Sequence, residues 1–170
     1  MDARGLLVEL YGRIPEQVRE AVDGLSPEEL ATPPEPGSNT IGWLVWHLTR
    51  VQDSHVAELL DAEQVWTTAD WPSRFGLAPD PADTGYGHTR TEMEAVRPDS
   101  AGALTGYFDQ VYARTSGFLR GLSGDDLDRV VDERWDPPVT LGVRLVSIAD
   151  DDIQHGGQAA YLRGLLSRRG

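Results

Sequence analysis

Four stretches of the chain repeat apolar residues at the three- and four-residue spacing that gives a helix one apolar face. The first, around Leu6 to Leu25, aligns Leu6, Leu10, Ile14, Val18, Ala21 and Leu25. Pro15 is expected to kink or interrupt it, because proline lacks the amide proton a helix interior uses. The second follows Ser38-Asn39-Thr40, a good capping neighbourhood, and runs to about Leu60. Its inward side carries Leu44, His47, Leu48, Val51, His55 and Leu59. The third spans about Ser100 to Leu122, with Leu104, Phe108, Val111, Thr115, Phe118 and Leu122 on one stripe. The fourth runs from about Gly142 to Leu166 through Leu145, Ile148, Asp151 or Asp152, His155, Ala159, Leu162 and Leu166.

The connections are unequal, and that inequality sets the topology. Between helices one and two, Ser26 is placed to cap a short turn opened by Pro27, and the prolines beyond it stop a continuous helix. Between helices two and three lies a much longer segment, about Gln64 to Asp99, with Trp66, Trp71, Phe75 and Tyr86 among prolines, glycines and aspartates. Its aromatics predict an ordered crossover packed on the bundle rather than a loose loop. The segment from Ser123 to Thr140 contains VVDERWDPPVTL, expected to form a brief extended hairpin. The pattern predicts an all-α four-helix bundle with one long crossover between helices two and three. At 170 residues, a single domain over 1–170 is expected.

Composition narrows the function. A net charge of -13 argues against nucleic acid as a partner, since phosphate binding relies on clustered cations. No run approaches the roughly 20 apolar residues of a membrane span, and the N-terminus does not resemble an export signal. A cytoplasmic protein is the expectation. There is no cysteine, so any sulfur nucleophile must come from another molecule. All 15 basic residues are arginine, a high-GC codon signature that points to an actinobacterial source.

The chemistry concentrates where polar residues interrupt apolar helices. His47 stands inside one, and Asp150-Asp151-Asp152-Ile153-Gln154-His155 inside another. Burial of such groups is costly without compensation, which a divalent metal provides. Asp151 and His155 are about 40° apart around the helix and roughly 6 Å along it, so both reach one ion. His47 would complete the set from a facing helix, leaving coordination positions for water or substrate. Asp152, three residues before His155, competes with Asp151, and Asp150 is expected to face solvent. Two imidazoles and a carboxylate suit Zn²⁺ first, and also Ni²⁺, Mn²⁺ or Fe²⁺.

The stretches PPEPGSNTIGWLVWHL, RFGL with DTGYGHT, and DDDIQHGGQAAYLRGL together resemble the DinB-like family of metal-binding four-helix proteins. That family includes mycothiol-dependent maleylpyruvate isomerase and the bacillithiol transferases. The resemblance covers nearly the whole chain and implies the same bundle and crossover, often as a homodimer. It implies a metal on a second-helix histidine and a His-x3-His or Glu-x3-His pair, here His47, Asp151 and His155. Asp151 departs from that pattern by being one methylene shorter than glutamate. By resemblance the protein is a metal-dependent transferase or isomerase, with mycothiol as cosubstrate and a small electrophile as partner. Two other readings stay open: a stress-response protein that holds a metal or small ligand without turnover, and a metal-assisted hydrolase.

Further residues have defined expectations. His88, in the crossover, is a candidate acid/base above the site, or else a histidine that fixes its turn. Gln158 is placed to orient substrate or to bridge helices. His55, eight residues from His47, lies about 12 Å along the helix and cannot share the same ion. Asp53 would hold an imidazole or form a solvated ion pair with an arginine such as Arg50. Gly156 and Gly157 suggest a close helix approach beside the metal, and Trp43, Trp46, Trp66, Trp71 and Trp135 a core or dimer-interface role.

Overall fold

The computed structural model describes residues 1–168. The first helical stretch is two helices, α1 (Ala3–Gly12) and α2 (Ile14–Val22), with the break at Arg13, two residues before Pro15 in the first turn of α2. The break re-phases the stripe: Leu7 and Tyr11 are buried on α1 while Leu6 is 60% exposed, and Ile14, Val18 and Ala21 continue inward on α2. A single-turn α3 (Pro27–Leu30) starts with a capping box in which Ser26 and Glu29 satisfy each other's backbone amides.

The second long helix, α4 (Ile41–Leu60), begins as its cap predicts, Thr40 Oγ1 accepting from Trp43 N at 3.0 Å. The crossover carries three short helices, α5 (Val65–Thr68), α6 (Trp71–Arg74) and α7 (Arg90–Ala95), before α8 (Ala101–Gly121). Trp66, Trp71 and Phe75 are buried against Tyr107 of α8, which holds the crossover onto the bundle. Burial of rings of this size is worth several kcal/mol each, roughly 150–250 Å² at about 25 cal/mol per Å². Tyr86 departs from the expectation and stands 92% exposed. A 3-10 turn (Asp125–Asp128) leads into the antiparallel hairpin β1 (Val130–Asp132) and β2 (Val139–Thr140), and Thr140 caps the final helix α9 (Leu141–Leu166).

The bundle is therefore the α1–α2 pair, α4, α8 and α9, with the long crossover joining α4 to α8. The most extensive pairing is α4 with α9, which sets the two elements carrying the candidate ligands side by side. Gly42 permits close packing at the head of α4: a Cβ there would meet Leu30 O and the Pro98 ring at 2.9 Å. No helix among the described residues is long and apolar enough to cross a membrane.

Candidate metal centre

The structure brings His47, Asp151 and His155 together, one ligand atom from each lying within 4.8 Å of the others. His47 Nε2 is 3.9 Å from Asp151 Oδ1, and His155 Nε2 is 3.5 Å from the same oxygen. His47 is buried, and Asp151 and His155 are half-buried, so the cluster sits at the edge of the α4–α9 seam rather than in the core.

Both imidazoles are fixed from behind. His47 Nδ1 donates to the Thr84 carbonyl at 2.5 Å, and His155 Nδ1 to Gln158 Oε1 at 2.9 Å. Each acceptor has no proton to give, so Nδ1 carries the hydrogen and the Nε2 lone pair faces the cluster, the tautomer a metal ligand needs. Burial pushes the His47 imidazole down, toward the neutral form, while Asp151 and Gln158 draw the His155 imidazole up. Asp151 Oδ2 is buried with no hydrogen-bond partner. A carboxylate with one buried oxygen unpartnered and the other facing two imidazole Nε2 atoms is costly unless a cation satisfies it. The N₂O donor set thus fits a divalent ion.

The backbone that holds His47 is itself anchored. Thr84 lies in the crossover, whose carbonyls at Asp83 and Pro81 accept from Arg50 Nε and Nη2, each at 3.0 Å. Arg50 also donates to Gln64 Oε1 and Tyr107 OH and lies over the Trp66 ring. Arg50 and Asp53 are both wholly buried, which corrects the expectation of a solvated pair. Asp53 holds no imidazole: its carboxylate accepts from Val65 N, Trp66 N and Tyr107 OH and pins the start of α5. Gly85, at φ 87°, follows Thr84, and a Cβ there would lie 2.8 Å from the Trp46 ring and 2.9 Å from His47 Nδ1. Only glycine takes both that dihedral and that proximity.

The remaining candidates separate. His88 stacks on Trp46; its Nδ1 accepts from Trp43 Nε1 at 3.2 Å and its Nε2 donates to Asp83 Oδ1 at 2.8 Å. Both nitrogens are thus engaged in fixing the turn. Gln158 orients His155 instead of bridging helices. Asp152 does not join the cluster; it is fully buried with both oxygens unpartnered, and burial pushes its carboxyl up well above the ordinary range. Asp150 is exposed and accepts from Gln154 Nε2, as expected. A Cβ on Gly156 would touch Gln17 Oε1 at 3.4 Å and one on Gly157 would touch nothing, so the expected close helix approach is absent at Gly157. Four of the tryptophans are buried, whereas Trp135 is 65% exposed.

A cavity of about 540 Å³ opens beside the cluster, with His47 and Asp151 in its wall. Its further wall includes His55 and Arg144, which the sequence reading did not connect to the site. Arg144 lies seven residues before Asp151, about 20° away around α9, so helical phase carried the signal. Thr84 acts through its carbonyl, and no side-chain pattern announces that.

Residues 10–159 match the model of the DinB superfamily. A conserved protein from Enterococcus faecalis is similar in structure at a TM-score of 0.88, with 32% identity over 97% of each chain. YfiT from Bacillus subtilis, described as a probable metal-dependent hydrolase with an unusual four-helix bundle topology, gives a TM-score of 0.65 at 18% identity. That match covers 99% of this chain and 89% of YfiT, and it bears on the fold. No protein of curated function matches significantly. With the helix order, the α4–α8 crossover and the family match in agreement, the chain belongs to the DinB superfamily.

Proposed function

We propose that this protein is a divalent-metal-dependent enzyme that transfers or isomerises a small electrophile with a low-molecular-weight thiol, such as mycothiol, as cosubstrate. The observation that carries the reading is the convergence of the His47 and His155 Nε2 atoms on the Asp151 carboxylate, beside an open cavity whose wall includes His47 and Asp151. His47, Asp151 and His155 would hold the ion, Zn²⁺ by preference for this donor set. When bound, it supplies Lewis acidity that lowers a thiol pKa, so thiolate is available at neutral pH. Thr84 and Gln158 keep the two imidazoles aligned throughout. Val51, Val139, Val143 and Ile148 line the cavity and offer apolar surface to the body of the electrophile. The S–H proton passes to solvent as sulfur bonds to carbon. In a transfer the leaving group departs with its bonding pair. In an isomerisation the C=C π pair takes up the charge, the single bond rotates, and the C–S bond breaks to re-form the double bond and release the thiol. With no cysteine in the chain, the nucleophile is borrowed.

A second reading, metal-assisted hydrolysis, is favoured by the description of YfiT. Elemental analysis of tag-free protein reloaded with Zn²⁺, Ni²⁺ or Mn²⁺ is the first test, and about one ion per chain is expected. His47→Ala and His155→Ala should each lose most of it with helical circular dichroism retained. Full metal content in both variants overturns the site. Turnover of 1-chloro-2,4-dinitrobenzene or maleylpyruvate only with mycothiol supports the thiol enzyme. Turnover of activated esters without thiol supports the hydrolase, and metal binding without either activity supports a binding protein.

A further inference from the structure

The cavity beside the metal cluster has two ends. His47 and Asp151 stand at one, His55 and Arg144 at the other, and all four line it. His55 follows His47 by eight residues on α4 and Arg144 precedes Asp151 by seven on α9. The two pairs are therefore about 10–12 Å apart along their helices. The wall between them is mainly apolar, with Val51, Val139, Val143 and Ile148 beside the hydroxyls of Ser54 and Ser147, and the exposed Trp135 forms part of the lining.

The far end is built from side chains whose orientation is fixed. Arg144, whose side chain is 12% exposed, donates from Nη2 to Asp132 Oδ2 and from Nη1 to His55 Nδ1, each at 2.8 Å. A guanidinium always donates, so His55 Nδ1 supplies a lone pair and the neutral ring carries its proton on Nε2. Glu58, 3.7 Å from the same Nδ1, is beyond hydrogen-bond reach and largely solvent-exposed. Asp132 is buried and its acceptor capacity is taken up: Arg134 donates from N, Nε and Nη2 in addition to the bond from Arg144. These two bonds use two of the five N–H donors of Arg144, and among the charged side chains of the lining it is the one cation. The far end thus offers spare donors from an anchored arginine and an imidazole N–H, with no competing carboxylate in the wall there.

We propose that this cavity binds an apolar organic carboxylate, its carboxylate held by Arg144 with the His55 Nε2–H, and its hydrocarbon body on the valines and Trp135. Building on the reading of the metal centre above, such an acid is the electrophile, anchored by its carboxylate with its reactive end toward His47 and Asp151. Arg144 is then the residue that selects anionic over neutral substrates. Asp132 and Arg134 act as its positioning residues.

The test compares trans-cinnamate with trans-cinnamamide, a matched pair of planar probes differing in charge, by calorimetric titration of chelator-treated and Zn²⁺-reloaded protein. Cinnamate should bind at least about tenfold more tightly in both preparations, the worth of one charge-assisted hydrogen bond. Arg144→Gln should abolish that preference, lowering cinnamate affinity at least about tenfold more than cinnamamide affinity. Trp135→Ala, at an exposed position that does not threaten folding, should weaken both probes equally. The proposal is overturned by equal affinities, by a preference that survives Arg144→Gln, by probes indifferent to Trp135→Ala, or by no binding to the wild-type protein. A preference that vanishes on chelation places the carboxylate on the metal and overturns it too. Because the chelated protein reports on Arg144 alone, failure of the metal reading leaves this result interpretable, and the converse holds.

Discussion

Arg50→Met tests whether His47, the candidate metal ligand, is held by a buried arginine it never touches. The wild-type guanidinium is wholly buried, donates at 2.8–3.2 Å to Gln64, Asp83, Pro81 and Tyr107, and lies 3.6 Å from Asp53 Oδ2. Methionine fills much of the volume but removes the charge and every donor. Breaking a buried pair from one side costs about 3–5 kcal/mol, because the other charge stays behind. Asp53 keeps three hydrogen bonds, from Val65 N, Trp66 N and Tyr107 OH, which places the expected cost toward the lower end of that range. For a chain this size, such a loss lowers Tm by roughly 6–16 °C. Urea unfolding of chelator-treated protein measures it. The crossover carbonyls released by the substitution flank Thr84, so zinc affinity from a competing-chelator titration should fall by about 10–100-fold, as for loss of a group that orients a ligand. Arg50→Lys, which keeps charge without the planar fork, should lie between. Stability within about 0.5 kcal/mol of wild type would refute the buried-clamp account. Unchanged zinc affinity in a destabilised but folded variant would refute the link to His47.

Three other substitutions probe separate parts of the same reasoning. Gly85→Ala forces a side chain into positive φ beside His47 and Trp46; it should cost about 1–3 kcal/mol in thermal unfolding and weaken metal binding, and a neutral result would mean the turn relaxes freely. Gln158→Leu, at an exposed position, should leave stability within about 0.5 kcal/mol yet reduce zinc affinity about tenfold; equal affinity would show that His155 needs no orienting partner. Asp152 has its carboxyl raised by burial, so the folded protein holds a proton that the unfolded chain releases above the ordinary value of 3.8. Its penalty therefore grows as pH rises through that value and disappears below it. Asp152→Asn should stabilise the metal-free protein at pH 7 and lose that advantage near pH 3 in denaturant titrations. A destabilisation of the same size at both pH values would contradict the sign.

The periodic apolar stripes, the caps at Ser26 and Thr40 and the lone long connection were enough to give four helical layers with one crossover. These are local or one-dimensional signals, and a helix reports its buried face at every turn. The pairing of His47 with Asp151 and His155 was legible for the same reason: all three interrupt apolar faces, and Asp151 and His155 share one turn of spacing. Tertiary structure decided the choice between Asp151 and Asp152, because each lies within reach of His155 on its own helix. Only the packing of α4 and the first two helices around α9 turns Asp151 to the cluster and Asp152 into the core. It also decided Arg50, Asp53 and His88, whose alternative roles stay open until the crossover folds back and surrounds them. The Thr84 carbonyl and the Arg144–His55 contact lie at sequence separations of 37 and 89 residues from their partners. Such contacts depend on chain reversals and backbone direction, for which side-chain periodicity carries no information.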